Sequence, residues 1–163
     1  MYAQVVPALQ KNLAAVTKFL KKTEAHLDTQ KLDKSVVLGL RVYPDMFPLL
    51  RQVLLVTDFT KGAAARLAGV PIPAFADEEK TFEDIYARLA KTEAFLASLD
   101  AKNFVGAEAR DVTVKVGGQD KQFSGQAYFS NIALPNIYFH MTTAYNLLRG
   151  IGVPLGKGDF MGR

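Results

Sequence analysis

The chain has 163 residues, 49% of them apolar and 22% charged, with a net charge of +4. That length suits one domain spanning 1–163, long enough to bury roughly two thirds of its unfolded surface. Cysteine is absent, which excludes disulfides, thiolate nucleophiles and cysteine-ligated zinc or iron–sulfur centres. The Lys and Arg residues are spread along the chain, so the modest charge bears on solubility more than on partners. The opening stretch MYAQVVPALQ has no basic segment leading into an apolar core, and a secretory signal is not expected. No apolar run reaches the ~18 residues of a membrane span. The expectation is a cytoplasmic protein.

From about Ala3 to Leu27, apolar residues recur at Val6, Leu9, Leu13, Val16, Leu20 and Leu27, the spacing of an amphipathic helix. Lys11, Lys18 and Lys22 share another face. No aromatic or Arg residue accompanies them, so this is read as a solvated face and no nucleic-acid partner is expected. His26 falls near the end of this helix, between Glu24 and Asp28. A connector extends from there to Tyr43, with a short helical turn through Lys34–Leu38.

A second helix is expected to open at Tyr43-Pro44-Asp45-Met46-Phe47-Pro48, where first-turn prolines are tolerated and Asp45 is the natural N-cap through the Phe47 amide. It runs to Leu67 or Ala68. Met46, Leu49, Leu50, Val53, Val56, Thr57, Thr60, Ala64 and Leu67 share one face, and Arg51, Asp58 and Arg66 point away. Leu54, Leu55 and Phe59 lie outside that stripe. A helix apolar over more than half its circumference is either central in its bundle or part of a subunit interface.

Gly69-Val70-Pro71-Ile72-Pro73 ends the helix and begins an extended linker. Asp77 is expected to cap a third helix, with Glu78 and Glu79 in its first turn. Its stripe is Phe82, Ile85, Leu89, Thr92, Leu96 and Leu99; the carboxylates Glu78, Glu79, Glu83, Asp84 and Glu93 are read as solvated. After Asn103 the period changes to two, with Val112, Val114 and Val116 in a strand. Gly117-Gly118-Gln119-Asp120 is the turn, and Lys121–Ser124 the return strand. A lone hairpin is marginal in water, so this one must pack on the helices or pair with another chain.

The last helical stretch is Gln126–Arg149. Phe129, Ile132, Ala133, Asn136, His140, Thr143, Ala144 and Leu147 share one face, and Pro135 is expected to kink or restart the helix. Asn136 and His140 beside a kink are buried polar groups that need partners. Two readings are open: a His–Asn hydrogen-bond network that fixes packing, or the polar floor of a small-molecule pocket. In the tail, Gly152–Gly158 superficially suggests a phosphate loop, but its glycine spacing is wrong and no Ser or Thr follows Lys157. No catalytic Ser–His–Asp set, GxGxxG or HExxH is present.

PDMFPLLRQV (44–53), DFTKGAAARLAGVPIPAF (58–75) and LPNIYFHMTTAYNLLRGIGVPLGKGDF (134–160) together resemble an uncharacterised domain family grouped with the DinB/YfiT-like metalloenzymes. The resemblance covers nearly the whole chain. It implies an all-α fold: a four-helix bundle with a crossover connection, here carrying a small β-hairpin between helices 3 and 4, and often a dimer. It also implies a metal triad, with one histidine on the second helix and an HxxxH pair on the last. Here the pair reads His140-Met141-Thr142-Thr143-Ala144, and the second helix has no histidine. One imidazole does not hold zinc or nickel, for which three or four ligands are the rule, and Asp45 or Asp58 would substitute only on a differently facing helix.

The expectation is therefore a non-catalytic homodimer without metal or cofactor. Its candidate small-molecule site comprises His140, Asn136, Tyr145, Thr57 and Gln52, a hydrogen-bonding site rather than a coordinating one. The alternative is a divergent metal- or thiol-cofactor-dependent transferase of the same superfamily.

Overall fold

A computed structural model describes residues 1–163. The apolar stripes legible in the sequence bury one another around a shared core. Helix α1 spans Tyr2–Gln30, slightly longer than the stripe required, and its six stripe residues are each 1% exposed or less. It stops at Lys31, which adopts a left-handed φ of 54°. Lys18 and Lys22 are not simply solvated. They hold the chain's end, through the Arg163 carbonyl (2.6 Å) and the Asp159 carboxylate (3.0 Å). Helix α2 (Lys34–Leu38) is the expected short turn, capped by Asp33.

Helix α3 runs from Leu49 to Ala68. Its start corrects the sequence reading, since Asp45 does not cap it. Tyr43–Met46 closes a separate turn (Met46 N–H to Tyr43 C=O, 3.0 Å), and the helix begins after Pro48, whose carbonyl accepts from Gln52. The residue before a proline is biased away from helical backbone, so Phe47 breaks any helix begun at Asp45. Gly69 ends α3 with φ 68°, as expected of a C-terminal glycine. Burial extends unbroken from Thr60 to Ala65, the mark of a helix central in its bundle.

Helix α4 spans Phe82–Ala97, and its expected stripe from Phe82 to Leu96 is fully buried. Asp77 is not its cap. Thr81 is, accepting from the Asp84 amide (3.2 Å) while Asp84 accepts from the Thr81 amide (3.0 Å). These reciprocal bonds satisfy two otherwise orphaned donors, and Asp77 lies too far upstream to reach them. Thr81→Ala is expected to cost about 1 kcal/mol of stability; chemical denaturation measures it, and a change under about 0.3 kcal/mol would refute the cap's role.

A 3-10 turn (Ala101–Phe104) leads into strands β1 (Asp111–Val116) and β2 (Gln119–Ser124), paired antiparallel with Val116 opposite Gln119. The turn is two residues, not four. Gly117 and Gly118 take φ of 62° and 80°, the double left-handed geometry that closes a tight hairpin, so Gln119 and Asp120 already belong to β2. Val112 is buried at the hairpin base, whereas the tip is exposed.

The final helical run is continuous but not uniform. Short α5 (Gly125–Tyr128) passes through a π-helical turn (Phe129–Ala133) into α6 (Leu134–Gly150), and the bounding residues Tyr128, Phe129, Ala133 and Leu134 all keep right-handed helical dihedrals. Pro135 stands directly after the π turn, at the start of α6, and the helical run continues through it without the expected restart. The π turn adds a residue relative to α-helical phase, rotating the whole of α6 by about 100°. The most buried line of α6 is accordingly Ile137, Met141, Ala144 and Leu148, each 1% exposed or less. His140 lies on its flank, not at its centre. The chain closes with α7 (Lys157–Phe160), whose Phe160 meets Tyr145 edge-on. No helix is long and apolar enough to cross a membrane.

Candidate functional site

The flank of α6 faces α3, and there the structure joins His140 to Gln52. Both are buried, at 7% and 1% exposure. The Gln52 amide is oriented by its neighbour: Nε2 donates to the Phe47 carbonyl (3.0 Å), which turns Oε1 toward His140 Nδ1 (2.7 Å). An amide oxygen only accepts, so this network assigns the imidazole proton to Nδ1 and leaves a lone pair on Nε2. The ring stacks on Phe59 (centroids 5.6 Å apart, planes at 17°) and meets Phe139 edge-on at 5.2 Å. Burial holds the His140 pKa below its ordinary value of 6.5, and the positive charge of Arg51 pushes the same way.

The other expected site residues go elsewhere. Asn136 donates to the Ile132 carbonyl (2.7 Å) and so occupies an acceptor within the π turn; it makes no bond to His140. Tyr145 lies edge-on to Phe19 and Phe160, against α1 and α7. Thr57 bonds to the Leu54 carbonyl and accepts from Arg88. Two of the five candidates therefore meet. The larger surface cavities, of about 450 Å³ beside Phe104, 370 Å³ beside Arg88 and 290 Å³ beside Leu147, are walled by other residues.

The most connected polar group was not singled out from sequence. Arg88 is 2% exposed, and its guanidinium donates to Thr57 Oγ1 (2.8 Å), the Ala76 carbonyl (3.1 Å), Glu79 (2.9 Å) and Asp58 (2.7 Å). It also pairs with Asp77 at 3.1 Å. Arg51 pairs with Asp77 and Lys61 with Asp58, so three cations balance three carboxylates. Lys61 and Arg88 both lie over the Phe75 ring, at 4.7 and 5.5 Å. Burial would lower the Arg88 pKa, but the Glu79 bond and the Asp58 charge more than offset it and raise it. Glu79, expected to be solvated in a first helical turn, is instead a half-buried partner of this arginine. The signal was present: Arg88 stands three residues after Ile85 and four before Thr92, inside an apolar stripe, where a charge requires counter-charges. Its role is to strap the linker onto α3 and α4.

The His140–Gln52 pair supports two measurements. A double-mutant cycle with His140→Ala and Gln52→Ala is expected to give a coupling of about 0.5–1.5 kcal/mol; additive losses would refute the bond. Because folding depresses the His140 pKa below 6.5, the neutral ring is the form folding favours. Its contribution is full above about pH 6.5 and is lost as pH falls toward the depressed native value. Urea midpoints should therefore drop on moving from about pH 7.5 to about pH 5.5, and His140→Gln should shrink the drop; an equal drop in the variant would refute the assignment.

The same geometry tests the metal that the resemblance implies. No group of three or more His, Asp or Glu side chains is placed to hold an ion. The donors around His140 are one imidazole and one amide already bonded on both sides, and Ala144, one turn along, is packed in the core at 1% exposure. These residues do not fit a three-ligand centre.

Comparison with known proteins agrees with this architecture. No curated protein matches the chain. The crystal structure of a DinB family member protein from Shewanella denitrificans superposes with a TM-score of 0.93 at 33% identity, covering 99% of this chain and 92% of that one. The model of the domain of unknown function DUF1993 matches residues 1–161. An all-α bundle with a small hairpin, a match to that family along nearly its whole length and a solved DinB relative together identify the chain as a member of the DUF1993 family, a DinB-like domain.

Proposed function

We propose that this protein is a non-catalytic bundle that self-associates through the face shared by α3 and α6, and that His140 serves there as a hydrogen-bonded anchor instead of a metal ligand. The observation that carries the reading is the Gln52 amide, held by Phe47 and aimed at His140 Nδ1. In this reading the metal site implied by the resemblance is degenerate, its positions given over to hydrogen bonding at His140 and packing at Ala144.

Charge supports a second copy as the occupant of the face. From Gln122 to Leu148 the chain has no Lys, Arg, Asp or Glu, although Phe139 on α6 is 56% exposed and Phe47 before α3 is 54% exposed. Two copies of net charge +4 repel one another. A two-fold contact also places the same patch of both copies together, so fixed charges near the axis would face their own sign. A face whose α6 side has no charge lowers both costs.

Light scattering at high micromolar concentration is expected to give the mass of a dimer, and Phe139→Lys that of a monomer; a monomeric parent protein would overturn the self-association. Stoichiometric zinc or nickel that disappears in His140→Ala would overturn the non-catalytic part and favour a divergent metal-dependent transferase. A small organic ligand is a second reading, favoured by His140 Nε2, which makes no hydrogen bond within the chain. Compounds that raise Tm in the parent but not in His140→Ala would support it.

A further inference from the structure

The proposed contact face of α3 and α6 is built around a titratable ring, and a gate on that face rests on the self-association itself. His140 touches the exposed Phe139 directly and reaches the exposed Phe47 through Gln52, whose amide spans the 2.7 Å bond to Nδ1 and the 3.0 Å bond to the Phe47 carbonyl. The ring thus touches one exposed aromatic side chain, and Gln52 ties it to the backbone of the other. Nδ1 is committed to Gln52, so an added proton goes to Nε2.

The charges around the ring give that proton no counter-ion. On α3 the charged group that acts on it is Arg51, a cation already paired with Asp77 at 2.5 Å. The stretch of α6 on both sides of His140 contributes none. The segment before α3 contributes Arg41, bonded to the Met46 carbonyl, and the exposed Asp45; His140 forms no ion pair with it. A protonated ring would therefore place an uncompensated cation beside the exposed Phe139, at the edge of a stretch of α6 that has no charge of its own. In a two-fold contact there would be two such cations, both further desolvated by the partner. The Nδ1 bond to Gln52 needs no change when Nε2 is protonated, so the fold persists while the face becomes charged.

We infer that the charge on His140 gates self-association: the neutral ring permits two copies to join through the α3–α6 face, and its protonation separates them. The pKa depressed by burial and by Arg51 has the direction such a gate needs, since the buried ring resists charging until the medium is acid. Each pH unit below the pKa of the separated chain weakens association by up to about tenfold per histidine.

Sedimentation velocity at about pH 8 and about pH 5.5, with circular dichroism confirming the fold at each, tests the gate. The parent protein is expected to weaken in self-association at the lower pH, by up to about tenfold per histidine for each pH unit below the pKa of the separated chain. His140→Gln should associate about equally at both, and His26→Gln, which removes the chain's other histidine, should behave as the parent does. A folded parent that associates equally at both pH values overturns the gate and leaves the self-association standing. A parent that is monomeric at about pH 8 overturns both. A His140→Gln variant that weakens with acid as the parent does also overturns the gate. Should that variant not fold, proton NMR titration of the parent's His140 ring at low and high protein concentration decides. A pKa that falls on association supports the gate, and one independent of concentration overturns it.

Discussion

Replacing Arg88 with alanine is expected to lower the unfolding free energy by about 3–5 kcal/mol, the cost of removing one partner from a buried charge network. The guanidinium is 2% exposed and serves Thr57, Ala76, Glu79, Asp58 and Asp77. Its removal strands the half-buried Glu79 and Asp58 carboxylates, and Lys61 neutralises only the latter. The linker from Val70 to Lys80 has no residue in the buried class, so apolar packing does not replace the ionic strap. Urea denaturation followed by circular dichroism gives the magnitude; a loss below about 1 kcal/mol would refute the network's role. Limited proteolysis gives an independent readout, with new cleavage expected within 70–81 in the variant. Arg88→Lys should be nearly as damaging, because an ammonium lacks the planar fork that reaches acceptors on three sides.

Gly125→Ala is expected to cost about 3 kcal/mol, through steric conflict with backbone on the neighbouring loop. A Cβ on Gly125 would lie 1.9 Å from the Ala107 carbonyl oxygen, 3.1 Å from its carbon and 3.0 Å from Leu67 Cδ2. The loop cannot step aside cheaply. Ala107 is fully buried, and the Gln126 amide donates to the Glu108 carbonyl at 3.0 Å. Calorimetry should show Tm falling by roughly 6–12 °C; a fall under about 2 °C would mean that the helix and loop separate easily. Gly62→Ala is the instructive contrast. There the near atom is the tip of the Arg66 side chain, 2.7 Å away, which can swing clear.

Local pattern in the chain was enough to establish the helical stripes of α1, α3 and α4, the Gly69 stop and the existence of the hairpin. Each depends on local periodicity or on the backbone freedom of one or two glycines, and such terms act within a few residues. The starts of α3 and α4 were less legible because acidic residues near an apolar run offer several possible caps. Tertiary geometry selected the restriction before Pro48 over Asp45, and the Thr81–Asp84 box over Asp77. At the candidate site, His140 was legible as a buried polar residue and Gln52 as its neighbour on the second helix. Asn136 precedes His140 by one turn of α6 but its amide donates to the Ile132 carbonyl, and Tyr145, which lies off that face, packs against Phe19 and Phe160. The π turn at Phe129–Ala133 shifts α6 out of phase with the residues before it, and the centre of the core falls to Ile137, Met141 and Ala144. Arg88 is the opposite case. Its place in the stripe was visible, but its partners come from α3 and from the linker, 9 to 31 residues away, and only the folded chain brings counter-charges across that separation. Local chemistry decided which segments are helices; the phase of the last one, and the way each buried charge is balanced, came from packing.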